Sequence, residues 1–122
     1  RIADGGLPAT ATFRFRTGRP SSAPRFRLVA FADSGQATLD QWNVMRLVES
    51  LSPDLLVLAG DLVYPMGEAA NFDPRYFEPY RRIVAGANAW PSIGNHEWMQ
   101  PGAQPYLDAF DLPANNPAAS EH

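Results

Sequence analysis

Runs of apolar residues that each close on a short polar cluster organise this sequence. Phe26-Arg27-Leu28-Val29-Ala30-Phe31-Ala32 predicts a buried strand, and Leu55-Leu56-Val57-Leu58-Ala59 a second one. The second run has no polar interruption, the pattern of a strand covered on both faces. Between them, Thr38 and Gln41 stand at capping-box spacing, so a helix is expected to start there. Leu39, Trp42, Met45 and Val48 would line one side of it, with Val44, Leu47 and Leu51 beside them, and Pro53 would end it. Asp73-Pro74 reads as an N-cap followed by proline at the first helical position, opening a second helix that reaches about Ala85. Pro79 inside that helix signals a kink or break. Residues 89–93 complete the series as a third strand. Strand, helix, strand, helix, strand in this order predicts an α/β architecture with a mostly parallel sheet.

The flanks read differently. Ala11-Thr12-Phe13-Arg14-Phe15-Arg16-Thr17 alternates, with Phe13 and Phe15 on one side, and predicts a half-buried strand. A lone strand is unstable, so its sheet partners are expected upstream of Arg1 or not at all. Residues 19–24, rich in Pro and Ser, read as a linker. From Trp98 onward the chain is rich in Pro, Ala and Asn, with one short helix expected around Gln104 to Phe110.

Composition narrows the function classes. The 122 residues suffice for one compact domain, and 45% hydrophobic residues place the chain among folded proteins. A formal charge of −3 carries no electrostatic footprint for nucleic acid. No apolar run approaches the roughly 20 residues that span a bilayer. Without cysteine there is no disulfide framework, thiolate metal site or cysteine nucleophile. The sequence begins at Arg1 and is expected to be a piece of something longer.

The candidate chemistry sits where the strands end. Asp33-Ser34-Gly35-Gln36 follows the first strand, Gly60-Asp61 with Tyr64 the second, and Gly94-Asn95-His96-Glu97 the third. Ligands of open α/β sheets bind outside the carboxyl ends of strands, so these clusters are expected on one rim. Carboxylate, phenolate and amide oxygens suit hard or borderline cations such as Fe, Mn, Zn or Mg, and an imidazole adds nitrogen or a proton relay. One carboxylate can bridge two ions about 3.5–4 Å apart, a pair that clamps a phosphoryl group and acidifies water. Taken singly, each residue has a plainer reading. Asp33-Ser34-Gly35 is an ordinary turn, Gly60-Asp61 a turn or helix cap, and Tyr64 an aromatic at a core edge. Gly94-Asn95 is a turn pair, and His96 a structural histidine. Their order after three successive strands is what points to a site.

Together these blocks resemble the first three motifs of the calcineurin-like metallophosphoesterases, and more narrowly those of the purple acid phosphatases. In that branch the first block reads Asp-x-Gly and the second carries a tyrosine three residues after its aspartate, as Asp33-Ser34-Gly35 and Asp61-Leu62-Val63-Tyr64 do. Phe13-Arg14-Phe15-Arg16-Thr17 resembles the last strand of the fibronectin-like domain that precedes the catalytic domain in some members.

The resemblance implies residues 1–18 as that terminal strand and residues 25–122 as the N-terminal part of an incomplete metallophosphoesterase domain. The parent fold would be a four-layer αββα sandwich, of which this chain supplies half. It implies two metal ions, iron paired with Fe, Zn or Mn. Asp33 and Tyr64 would bind the first ion, Asp61 would bridge both, and Asn95 would bind the second. His96 would face the substrate phosphate and protonate the leaving alkoxide. Phenolate ligation by Tyr64 would colour an iron-loaded protein.

The implied activity is hydrolysis of small phosphate monoesters, acid phosphatase-like, with an extracellular or periplasmic address and no nucleic-acid or membrane partner. Two departures qualify the match. Ala32 stands where the family has glycine, and the family's later histidine blocks have no counterpart, since the only histidines are His96 and His122. The chain alone is therefore expected to bind metal poorly and to need the C-terminal remainder of the domain. The alternatives are a non-catalytic binding module of the same fold and a phosphodiesterase. A Rossmann-like domain is disfavoured, because no G-x-G-x-x-G turn follows the first strand.

Overall fold

A computed structural model describes residues 15–112 of the chain. The regular elements run β1 (Leu28–Phe31), α1 (Leu39–Leu51), β2 (Leu55–Ala59), α2 (Glu78–Val84), β3 (Asn88–Ser92) and α3 (Gln104–Ala109). The strands form one parallel sheet in the order β1-β2-β3. Leu28 lies beside Leu55 and Leu55 beside Asn88, so neighbouring strands start level and end level. That register brings all three carboxyl ends to the same edge of the sheet.

Parallel neighbours in register share a face, and alternate residues point to opposite faces. Leu56 and Leu58 are fully buried, and Val29, Phe31 and Ala89 beside them pack into the same core. Met45 and Val48 of α1 and Tyr80 and Ile83 of α2 complete it, so both helices cover this one face. Tyr76, Tyr80, Tyr106 and Phe110 extend the core as a connected set of ring contacts. On the opposite face Leu28 and Trp90 are 53% and 60% exposed, and Leu55 and Val57 are half-buried. The uninterrupted run at 55–59 thus belongs to a strand covered on one side among the described residues, not on both.

Helix α1 starts as the spacing predicts: the Thr38 hydroxyl accepts the Gln41 N–H at 3.3 Å. The capping box closes differently, however. Gln41 Oε1 accepts from the Ala37 N–H at 2.7 Å, and its Nε2 donates to the Arg75 carbonyl at 2.6 Å. Gln41 is therefore a core residue, buried because both halves of its amide are satisfied. The buried stripe is Gln41, Met45 and Val48, spaced i, i+4, i+7. Leu39 faces solvent, 81% exposed, which corrects the apolar stripe expected from sequence. Ser52 ends the helix in the left-handed region one residue before Pro53, its N–H returning to the Glu49 carbonyl.

The segment before β3 departs most from the pattern. Asp73 is not an N-cap; the chain is already helical at Phe72, after a 3₁₀ turn at Ala69–Asn71. A π-type turn, Asp73–Phe77, then precedes α2, whose first residues include Pro79. A proline has no N–H to donate, and the wider turn ahead of it relieves the clash with earlier carbonyls. The break expected at Pro79 takes this form. Strand β3 lies one residue earlier than 89–93, and α3 stops one residue short of Phe110. The alternating segment at 11–17 falls largely outside the described residues; Phe15, at its described end, is 82% exposed and in no strand.

Met45 and Leu39 therefore separate the two helix faces. In urea denaturation of the full chain, Met45→Ala is expected to lower stability by about 2–5 kcal/mol, and Leu39→Ala by no more than about 0.5 kcal/mol. Equal losses would contradict this orientation of α1.

Candidate metal centre

The loops that leave β1 and β2 at the sheet's carboxyl edge are stitched together through backbone hydrogen bonds. The Asp33 N–H reaches the Gly60 carbonyl at 3.3 Å, and the Tyr64 N–H reaches the Gly35 carbonyl at 2.9 Å. Gly35 and Gly94 are glycines because of this crowding. A Cβ on Gly35 would lie 1.6 Å from the Leu62 carbonyl oxygen, and one on Gly94 would lie 2.2 Å from the Asp61 nitrogen. Asp33 and Asp61 both sit in the left-handed region, at φ 58° and 53°. Aspartate tolerates it better than most residues, but each such position still costs about 1–3 kcal/mol and persists only where surrounding contacts enforce it.

Those contacts aim the side chains. The Tyr64 hydroxyl donates to Asp33 Oδ1 at 3.1 Å. Asp61, 8% exposed, accepts the His96 N–H on Oδ1 at 3.0 Å. The Tyr64 and His96 rings lie against each other, 4.1 Å between centroids and tilted by 43°. His96 Nδ1–H donates to the Pro65 carbonyl, which fixes the tautomer and leaves Nε2 as the nitrogen without that bond. Asn95, exposed in the same loop, has no side-chain hydrogen bond among the described residues. Asp33, Asp61, Tyr64 and His96 are thus brought together, and Asn95 sits next to His96 in chain order.

The electrostatics are one-sided. Tyr64 is pushed up to about 12 from an ordinary 10.0, first by its burial and then by its hydrogen bond to Asp33 and the charges of Asp33 and Asp61. The ion pairs among the described residues, Arg19–Asp54 and Arg82–Glu49, involve neither aspartate. Uncompensated carboxylates around a phenol make an oxygen-rich, cation-seeking cluster, and these donors fit a hard or borderline metal ion. The fit is partial, since no three His, Cys, Asp or Glu side chains gather closely enough to hold an ion among the described residues.

A further residue builds the cluster without belonging to it. Glu97 is 1% exposed. Its Oε2 accepts the N–H groups of Asp61 at 3.0 Å and Gly94 at 2.8 Å, and its Oε1 those of Leu62 and Val63, both at 2.9 Å. Sequence reasoning gave Glu97 a place in the third motif and no task. A lone glutamate after a turn signals solvent, and only its position beside Asn95-His96 hinted otherwise.

A parallel α/β sheet whose carboxyl edge gathers aspartates, a tyrosine and a histidine defines an α/β fold with a polar, oxygen-rich site at its strand ends. The family model of the calcineurin-like phosphoesterases matches residues 26–121, and the chain belongs to that family. The three-stranded sheet and its helices are consistent with half of that family's fold. The family's general chemistry is metal-dependent phosphoester hydrolysis, generally with two metal ions. No curated protein and no solved structure matches the chain.

The raised Tyr64 pKa has a consequence for stability. The fold holds this proton more tightly than the unfolded chain does. The resulting stabilisation is fully present below pH 10 and is lost as pH rises through about 12. In metal-free protein, Asp33→Ala is expected to bring the phenol's ionisation down toward 10, read as tyrosinate absorbance against a Tyr64→Phe control. An unchanged titration would remove Asp33 from the causes.

Proposed function

We propose that this chain contributes to a dinuclear metal centre that hydrolyses phosphate monoesters, of the purple acid phosphatase type. The observation that carries this reading is the Asp33–Tyr64 pair, joined at 3.1 Å across two adjacent strand ends with Asp61 beside it. A carboxylate and a phenol on one ion, next to a carboxylate able to bridge two, is the donor arrangement that distinguishes this branch by resemblance. Bound ions would clamp the phosphoryl group and acidify a water.

The protein's own residues do the rest. Asp33 and Tyr64 would hold the first ion, Asp61 would serve both, and Asn95 would offer its amide oxygen to the second. His96, steadied through Nδ1–H and against Tyr64, would act as the imidazolium, with both ring nitrogens protonated, giving its Nε2 proton to the leaving oxygen as the phosphorus–oxygen bond breaks and returning to the neutral Nδ1–H form. The remaining ligands come from the C-terminal remainder of the domain. The substrate is a small phosphate ester.

Two variants of the complete protein separate these roles. Asp61→Ala is expected to empty both metal positions, measured as metal per chain by elemental analysis; two ions retained would refute bridging. His96→Ala should keep both ions and lose about 10²–10⁴-fold in turnover of an aryl phosphate; undiminished turnover would leave His96 a structural role. A native protein that loads no metal would favour the non-catalytic binding module.

The tyrosine ligand has its own signature. Iron-loaded protein is expected to show a visible absorption band that Tyr64→Phe abolishes at unchanged iron content. A band that survives the substitution would place the chain outside the purple branch.

A further inference from the structure

We propose that Glu97 is a positioning residue for the metal centre, holding Asp61 in its ligating conformation through the backbone. The inference rests on the metal-binding reading above. A carboxylate has two oxygens and about four lone-pair positions. Here four backbone N–H groups fill them, two on each oxygen. Three donors come from the loop after β2 and one from the loop after β3, so a single side chain fastens the two loops together.

The fastening is reciprocal. Glu97, from the β3 loop, accepts the Asp61 N–H, while Asp61, from the β2 loop, accepts the His96 N–H. Each loop's carboxylate secures the other's backbone. Asp61 is thereby held at φ 53° with Oδ1 already engaged, and its remaining acceptor positions are the ones left for cations. No basic side chain neutralises Glu97 among the described residues, since the ion pairs there are Arg19–Asp54 and Arg82–Glu49. Its charge therefore adds to the negative potential at Asp61. Partners that orient ligands in this way usually govern metal affinity.

Glu97→Gln is the informative change. The amide keeps one acceptor oxygen and turns an NH₂ against two N–H donors, so two of the four bonds are lost at almost constant volume. In the complete protein, stripped of metal and titrated with Mn²⁺ alone, E97Q is expected to bind about 10–100-fold more weakly than wild type. Amide exchange of Asp61, Leu62, Val63 and Gly94 in the metal-free protein should accelerate. Leu58→Ala, fully buried on β2, is the control for stability loss without loop release, and it should keep wild-type Mn²⁺ affinity.

E97Q with wild-type affinity and protected amides overturns the proposal. So does an equal loss of affinity in the Leu58→Ala control. If E97Q does not fold, Glu97→Asp decides: it keeps the charge one methylene short of both loops. Weakened Mn²⁺ binding by E97D supports the role, and wild-type binding overturns it. A complete wild-type protein that takes no Mn²⁺ would count against the metal reading itself. Amide exchange in the metal-free variants would then still decide whether Glu97 holds the loops.

Discussion

Four N–H groups turned inward at the end of a sheet need an acceptor, and the Glu97 carboxylate supplies all of it. The chain after β2 turns inward at Gly60 and runs through Asp61, Leu62 and Val63 with every one of these residues buried. Inward-facing backbone away from water is tolerated only when it is paired, because an orphaned N–H costs about 1–3 kcal/mol. Three such donors in succession cannot be met by a ladder, since the strand has already ended at Ala59. A buried anion meets them at once. The same anion reaches Gly94 on the neighbouring loop, and the separation of the two strand ends becomes a fixed length.

The close approach of those loops explains the glycines better than any local turn preference does. Gly94 lies so near Asp61 that no side chain fits, and Gly67, in the left-handed region, lies against the backbone of His96 and Glu97. Crowding of this kind leaves few degrees of freedom for Asp61, Tyr64 and His96. Sites held that tightly need little rearrangement when a ligand arrives, which is the physical meaning of preorganisation.

The sheet and its helices were legible because apolar runs and proline positions are local signals. Leu55–Ala59 is a strand at the boundaries its composition implies, and Pro53 stands one residue past the cap of α1. The convergence of Asp33, Asp61, Tyr64 and His96 was legible for a different reason: parallel strands in register must deliver their ends to one edge. What escaped were residues whose role depends on a distant partner. Gln41 is buried only because the Ala37 N–H and Arg75 carbonyl satisfy it, while apolar Leu39 lies exposed on the same helix. Glu97 is buried only because donors from two loops meet there. Polar residues of this kind look like surface to any reading based on hydrophobic period, since their burial is decided by tertiary hydrogen bonds.

The distribution of charge ties these features to chemistry. Both ion pairs among the described residues lie away from the carboxyl edge: Arg19–Asp54 by the start of β2, and Arg82–Glu49 between the two helices. At the carboxyl edge, Asp33, Asp61 and Glu97 are met by hydrogen-bond donors and, among the described residues, by no basic ion-pair partner. Hydrogen bonds to neutral donors stabilise a carboxylate without cancelling its field. Like charges gathered in this way destabilise one another, and a fold selected for stability alone would interleave arginine or lysine among them. The two left-handed aspartates add to that cost. A strained, anionic, oxygen-lined edge on an otherwise ordinary α/β sheet belongs to a fold that spends part of its stability on holding these side chains in one arrangement.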